Sequence, residues 1–319
     1  MTRPAHTLGI VGTMVFDRIV PVDGDPVERW GGVGYAVAGA AATLPADWGV
    51  RVVCRVGKDL ADEAAAVLAG IPRCERRLTT VSEPNNRVEL RYHDEAHRTE
   101  RLSGGVSGWS PDDLADALEG CKGVLLNFIS GHELGLDGML ALRARSSAWI
   151  YADMHSLFLD MEPDGTRKPR PLADWSVWLS CFNAVQMNEN EFELLKRSPG
   201  GPARLEDLLE VGPSMAAVTL GSRGARLAFR ADGRSLVREV TLLASRSGDP
   251  TGCGDIWGAV MCSRILAGEG EVRAAEAANR LASASLDHHG VEGLVERLSD
   301  VSLDEGGGVF LDSATEVEL

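Results

Sequence analysis

Asp249-Pro250-Thr251-Gly252-Cys253-Gly254-Asp255 runs without a break into the apolar, helically spaced stretch Ile256 to Leu266. Glycines at 252 and 254 let successive backbone N–H groups turn inward, and the start of a helix adds the positive end of its dipole. Together they make an anion pocket. Asp255 follows that pocket directly. A carboxylate there is a poor phosphate ligand, since like charges repel, but it can accept a proton from a hydroxyl that attacks phosphorus. The plainer reading is a Gly-rich loop followed by an Asp in a helix N-terminus. The rest of the chain has to choose between the two.

Outward from this junction, short apolar runs alternate with helical patterns. Leu8 to Val11, Arg51 to Val56, Gly123 to Phe128, Ala148 to Ala152, Ala184 to Met187 and Ala216 to Leu220 predict strands, and 34–44, 59–69, 111–119, 136–145, 189–196 and 203–210 predict helices. Strands alternating with helices predict an α/β fold with a mostly parallel, doubly covered sheet and ligands at the carboxyl ends of its strands. Two stretches break the rhythm. Residues 14–30 and 86–102 alternate apolar and charged residues, as in Arg87-Val88-Glu89-Leu90-Arg91-Tyr92-His93, which predicts half-exposed antiparallel strands. They are expected to form a small β lid on a main domain made of 1–13, 31–85 and 103–305. Gly221 to Val240 predicts a hairpin turning at Ala231-Asp232-Gly233. Residues 306–319 predict a weakly ordered tail.

With 319 residues, 44% of them hydrophobic, the chain can bury a large core. Its 47 acidic and 32 basic residues leave a net charge of -15, a surface that repels phosphate backbones and anionic lipid, so neither a nucleic acid nor a membrane is the expected partner. Six scattered cysteines without CxxC spacing fit a reduced, metal-free interior. With no charged n-region and no run near ~18 apolar residues, the expected location is the cytoplasm.

Four segments in order now carry a resemblance. Asp249 to Asp255 resembles the D-[TP]-T-G-A-G-D signature of the PfkB, ribokinase-like kinases, with Cys253 in the Ala place. Gly31-Gly32 resembles the family's N-terminal di-glycine, Asn188-Glu189-Asn190-Glu191 its N-x-x-E, and Val218-Thr219-Leu220-Gly221-Ser222-Arg223-Gly224 its V-T-x-G-x-x-G. The resemblance implies a ribokinase-like fold and phosphoryl transfer from ATP with Mg²⁺ to a hydroxyl, with a primary one expected, of a sugar or nucleoside. It implies Asp255 as base, with Gly252, Cys253 and Gly254 as backbone donors to the transferred phosphate. Asn188 and Glu191 would organise Mg²⁺ through its waters, a role to be weighed against a helix capping box. Thr219, Gly221 and Gly224 would line the ATP site, with Asn279 near adenine or simply on a solvated helix face. Asp249 and Thr251 would offer oxygens to K⁺. For the acceptor, Asp17 would take two hydrogen bonds from vicinal hydroxyls beside Gly31 and Gly32, with Asp153 and His155 facing it or forming a buried strand-end pair.

The sequence also departs from the family. Tyr35-Ala36 stands where Asn is frequent, and Asp153-Met154-His155-Ser156-Leu157 replaces D-x-N-x-R, losing an Arg that can hold a sugar phosphate. Arg87, Arg91 or Arg98 of the lid would have to compensate, so a free sugar is the leading acceptor. Trp30 and Tyr35 keep a nucleoside open, because aromatic rings can stack on a base. The half-exposed lid strands are a candidate homodimer surface. A non-catalytic sugar- or nucleotide-binding regulator is disfavoured by the intact Asp255 and its glycines. A nicotinamide enzyme built on Gly9-Ile10-Val11-Gly12 is disfavoured because the spacing is not G-x-G-x-x-G.

Overall fold

The computed structural model describes residues 4–94, 98–195, 201, 203–242 and 248–301. The tail expected at 306–319 lies outside them. In chain order the first elements are β1 (His6–Val11), β2 (Met14–Val20), β3 (Val27–Gly32), α1 (Val33–Thr43), β4 (Trp48–Gly57), α2 (Ala61–Ala69), β5 (Cys74–Val81), β6 (Arg87–Tyr92) and β7 (Arg98–Ser103). Next come α3 (Pro111–Ala117), β8 (Gly123–Asn127), α4 (Leu136–Arg145), β9 (Trp149–Asp153), β10 (Leu159–Met161), β11 (Arg167–Pro169), α5 (Trp175–Ser180), β12 (Ala184–Asn188) and α6 (Glu189–Glu193). The chain continues through β13 (Met215–Thr219), β14 (Ala225–Ala231), β15 (Arg234–Val240), α7 (Cys253–Leu266), α8 (Glu271–Ala284) and α9 (Leu294–Ser299).

Nine strands form one sheet in the order β15-β14-β13-β12-β9-β8-β1-β4-β5, parallel from β13 to β5. Its central strands are apolar at successive positions because both faces are covered. Leu8, Ile10 and Leu125 pack with α1, α7 and α8 on one side. Val11, Val124 and Leu126 pack with α3, α4 and α5 on the other. The hairpin at 225–240 adds two antiparallel strands at one edge, turning on Asp232 and Gly233, both with positive φ. The opposite edge, β5, escaped the sequence reading. Its Cys-Glu-Arg-Arg-Leu-Thr-Thr-Val is largely exposed and charged, as suits a strand with one unpaired side.

Residues 14–20, 27–32, 87–92 and 98–103 build a separate four-stranded sheet, β3-β2-β6-β7. Val15, Ile19, Val88, Leu90 and Leu102 cover its inner face. One pairing differs from expectation: β2 and β6 run parallel, Phe16 opposite Arg87, while the outer pairs are antiparallel. Alternation reports that one face is exposed and says nothing of strand direction. Residues 205–210 form a 3₁₀ helix rather than an α-helix. No helix among the described residues is long and apolar enough to cross a membrane.

Candidate active site

Strand ends deliver most of the site. Asn127, Asp153, Asn188 and Thr219 are the last residues of β8, β9, β12 and β13, which start their turns on one edge of the parallel sheet. The loop 249–252 and the first turn of α7 meet them there. Gly252 adopts φ 81°, and a Cβ on it would lie 2.5 Å from the Tyr35 ring, so only glycine permits this turn. Gly254 faces open space.

Asp255 accepts a hydrogen bond of 2.8 Å from Asn127 Nδ2, across 128 residues of sequence. Burial pushes its carboxyl up to about 6, with the Asn127 bond and His155 opposing. Gln186 braces the same turn: its Nε2 donates to Gly254 O at 3.0 Å and lies 3.4 Å from Asp153 Oδ2, while its Oε1 accepts from Tyr151 OH at 3.0 Å. Asp153 is buried, and burial together with Asp255 raises its carboxyl above the ordinary range. Neither Asn127 nor Gln186 belongs to any motif read in the sequence. Their positions as buried polar residues in otherwise apolar strands, Asn127 at the end of β8 and Gln186 in the middle of β12, were the available signal.

Asp17 lies in the middle of β2, buried against β3 at 5% exposure. A Cβ on Gly31 would fall 2.0 Å from Asp17 Oδ2, and one on Gly32 would fall 2.3 Å from Thr13 O, so both glycines are required by close approach. Burial, then the nearby Asp255, pushes the Asp17 carboxyl up to about 8, with Arg29 opposing. Asp17 is thus largely protonated at neutral pH, not the carboxylate expected from sequence. This has a consequence for stability. A carboxyl raised from 3.8 to about 8 on folding stabilises the native state most below pH 4, and that contribution is lost as pH rises toward 8, at up to ~1.4 kcal/mol per unit. Melting temperature is expected to fall from pH 5 to pH 8, and Asp17→Asn to flatten that fall. A variant with an unchanged slope would remove Asp17 as its source.

Asn188 and Glu191 form the capping box of α6: Glu191 N donates to Asn188 Oδ1 at 3.0 Å, and Asn188 N donates to Glu191 Oε2 at 2.8 Å. The remaining oxygen of Glu191 meets His155 Nδ1. Burial works against a charge on His155, yet Glu191 holds it up to about 9. His155 and Asp153 are also joined, His155 N donating to Asp153 Oδ1 at 3.3 Å. Among the described residues no group of three or more His, Cys, Asp or Glu makes a metal cage. Such a cage is not what Mg²⁺ needs, because that ion keeps most of its waters and leans on substrate phosphates. Glu191 Oε1 also accepts from Asn188 Nδ2 at 2.5 Å, so both oxygens of this buried carboxylate have protein partners.

A cavity of about 1000 Å³ runs from Thr219, Gly221 and Gly224 past Asp249 and Gly254 to the lid residues Ile19 and Tyr92. Leu242, Trp257, Ala282 and Leu286 give it an apolar wall. Asn279 lines it too, but its amide is committed within the protein, Oδ1 accepting from Trp257 Nε1 at 2.8 Å and Nδ2 donating to Val240 O at 2.9 Å. Asp17 and Asp153 are not among the lining residues. Asp249 is held by Thr251, whose N and Oγ1 donate to its Oδ1, and by the Arg29 guanidinium on Oδ2. Arg29, immediately before Trp30-Gly31-Gly32, was passed over in the sequence because its partner is 220 residues away.

Residues 165–297, which hold the N-x-x-E, V-T-x-G-x-x-G and Gly-Cys-Gly-Asp segments, match the pfkB family carbohydrate kinase model. That segment of the chain is similar to the PfkB carbohydrate kinases. Solved structures share this fold over almost the full length of the chain. A sulfate complex of a pyrophosphate-dependent kinase in the ribokinase family superposes with TM-score 0.76 at 17% identity, covering 92% of this chain and 100% of that one. Arabidopsis thaliana ribokinase complexed with ribose and ATP gives 0.66 at 17%, covering 95% and 100%. Burkholderia thailandensis nucleoside kinase in complex with inosine gives 0.67 at 14%, covering 90% and 93%. No curated protein matches the sequence. At these identities the structural likeness is one of fold, and the substrate has to be argued from the chain's own residues.

Proposed function

We propose that the chain transfers the γ-phosphoryl group of MgATP to a hydroxyl, most simply a primary one, of a free sugar or sugar-like molecule, with Asp255 as general base. The observation that carries this reading is the Asp255 carboxyl at the first turn of α7, hydrogen-bonded to Asn127, raised to about 6 and directly behind the open Gly254 turn. A group with such a pKa is mostly deprotonated at neutral pH and still basic enough to take a hydroxyl proton as phosphorus is attacked. Gly252, Cys253 and Gly254 would donate backbone N–H groups to the charge developing on the transferred phosphate. The donor would lie along the cavity wall of Leu242, Trp257 and Leu286, which offers an apolar surface to a base. Mg²⁺, when bound with the donor, supplies charge neutralisation on the phosphates. Glu191 would take part through a metal-bound water.

The acceptor would meet Asp17, Gly31, Gly32, Asp153 and the free Oδ1 of Asn127, a buried oxygen with no protein partner. A free rather than phosphorylated acceptor is favoured by the lid arginines, each already engaged: Arg87 with Asp59, Arg91 with Glu89 and Arg98 with the Tyr92 hydroxyl. A simple sugar is favoured over a nucleoside because both aromatics are buried. Trp30 packs edge-on against Phe16 at 5.3 Å, and Tyr35 lies against Gly252. Formation of the acceptor phosphate ester should be followed with MgATP, which releases ADP, or pyrophosphate, which releases orthophosphate, as donor and ribose, other pentoses and hexoses, polyols and inosine as acceptors. Acceptor-dependent turnover with ATP is expected. Turnover with pyrophosphate alone would replace the nucleotide in the donor role, and a preference for inosine would select the nucleoside reading.

Glu191→Gln bears on the metal. It is expected to raise the Mg²⁺ concentration needed for half-maximal rate, since a carboxamide holds metal-bound water more weakly than a carboxylate. An unchanged Mg²⁺ titration with a lowered melting temperature would leave Glu191 with the capping role alone.

A further inference from the structure

A monovalent cation beside Asp249 and Thr251 is what the family resemblance implies, and the side chains present do not suit one. Asp249 Oδ1 accepts from Thr251 N at 2.9 Å and from Thr251 Oγ1 at 2.6 Å. Its Oδ2 receives the Arg29 guanidinium, with His289 Nδ1 a further 3.6 Å neighbour. The pair is withdrawn from water, the Arg29 side chain being 8% and that of Asp249 15% exposed. At such burial a charge pair interacts strongly, and a further cation at Asp249 would meet an already neutralised carboxylate and a fixed guanidinium.

We infer that Arg29 is a positioning residue that serves as a built-in cation for the 249–252 loop, taking the place of an added K⁺ and tying the lid to the start of α7. Arg29 stands opposite Asp17 in the β2–β3 ladder, two residues before Gly31. One side chain thus spans the acceptor strand and the loop that forms the anion pocket. The loop is held in its turn only while β3 is seated, so lid closure and pocket formation become one event. A diffusible K⁺ could steady the loop but could not report on the lid. The inference rests on the kinase reading only for the role of the loop.

The test compares wild type, Arg29→Gln and Arg29→Lys in KCl and in NaCl at equal ionic strength, by thermal unfolding and by the rate with MgATP and the acceptor found in the panel. Wild type and Arg29→Lys should show the same melting temperature in both salts, and rates within about twofold. Arg29→Gln should be roughly tenfold slower in NaCl and should recover severalfold, with a higher melting temperature, when K⁺ replaces Na⁺. Activation of wild type by K⁺, or an Arg29→Gln protein that is folded and indifferent to the two salts, would overturn the inference. If Arg29→Gln does not fold, a K⁺ response in wild type or Arg29→Lys overturns it and salt indifference in both supports it. If no acceptor is phosphorylated in either salt, the kinase reading fails while the melting comparison still decides the role of Arg29.

Discussion

Asp255→Asn is expected to lower kcat by ~10²- to 10⁴-fold while leaving the fold and ATP binding nearly intact. Asparagine keeps the shape that Asn127 Nδ2 meets at 2.8 Å, since its amide oxygen can still accept that bond. What it loses is the capacity to take a proton. The same account fixes the pH dependence. With the Asp255 carboxyl raised to about 6, kcat/KM for the acceptor should rise through that pH and level off above it, as the free base forms. In Asp255→Asn that limb should vanish. Retention of more than half the wild-type turnover, or an acid limb that survives the substitution, would remove Asp255 from the role of base.

Asp17→Ala should act on the acceptor alone. At neutral pH the Asp17 carboxyl carries its proton, so it offers one donor and one acceptor to a pair of vicinal hydroxyls. Loss of two buried hydrogen bonds at ~0.5 to 1.5 kcal/mol each corresponds to an acceptor KM raised roughly 10- to 100-fold. The KM for ATP should barely move, because Asp17 does not line the donor cavity. Ring hydroxyls bound at Asp17 should also slow amide exchange in β6 and β7, which continue the sheet of β2, β6 pairing with β2 and β7 with β6. Equal weakening of ATP and acceptor, with unchanged exchange in 87–103, would shift the acceptor elsewhere.

The main sheet was legible because its strands are short apolar runs between helical patterns, and α4 was read to the residue at 136–145. The lid strands were legible because Arg87 to Tyr92 alternates cleanly, although alternation could not reveal that β2 and β6 are parallel. β5 was missed because an edge strand with Arg76 and Arg77 exposed has neither signature. At the site, the Gly-Cys-Gly-Asp turn declared itself, since a positive φ at Gly252 and a helix start are local properties. Asn127, Gln186 and Arg29 did not. Each acts across 68 to 220 residues on Asp255, Gly254 or Asp249, and only tertiary packing joins them. The Asn188–Glu191 pattern serves a capping box by construction, so sequence alone could not separate that local role from the proposed metal role. Nor could it foresee that burial leaves Asp17 protonated.

Transfer of label from [γ-³²P]ATP tests the central claim most directly. Wild-type protein with Mg²⁺ and the preferred acceptor should place the label in a phosphate ester of that acceptor, one per ADP formed, and Asp255→Asn should leave it on ATP over the same interval. Label released only as inorganic phosphate, or transferred equally by wild type and Asp255→Asn, would contradict the account.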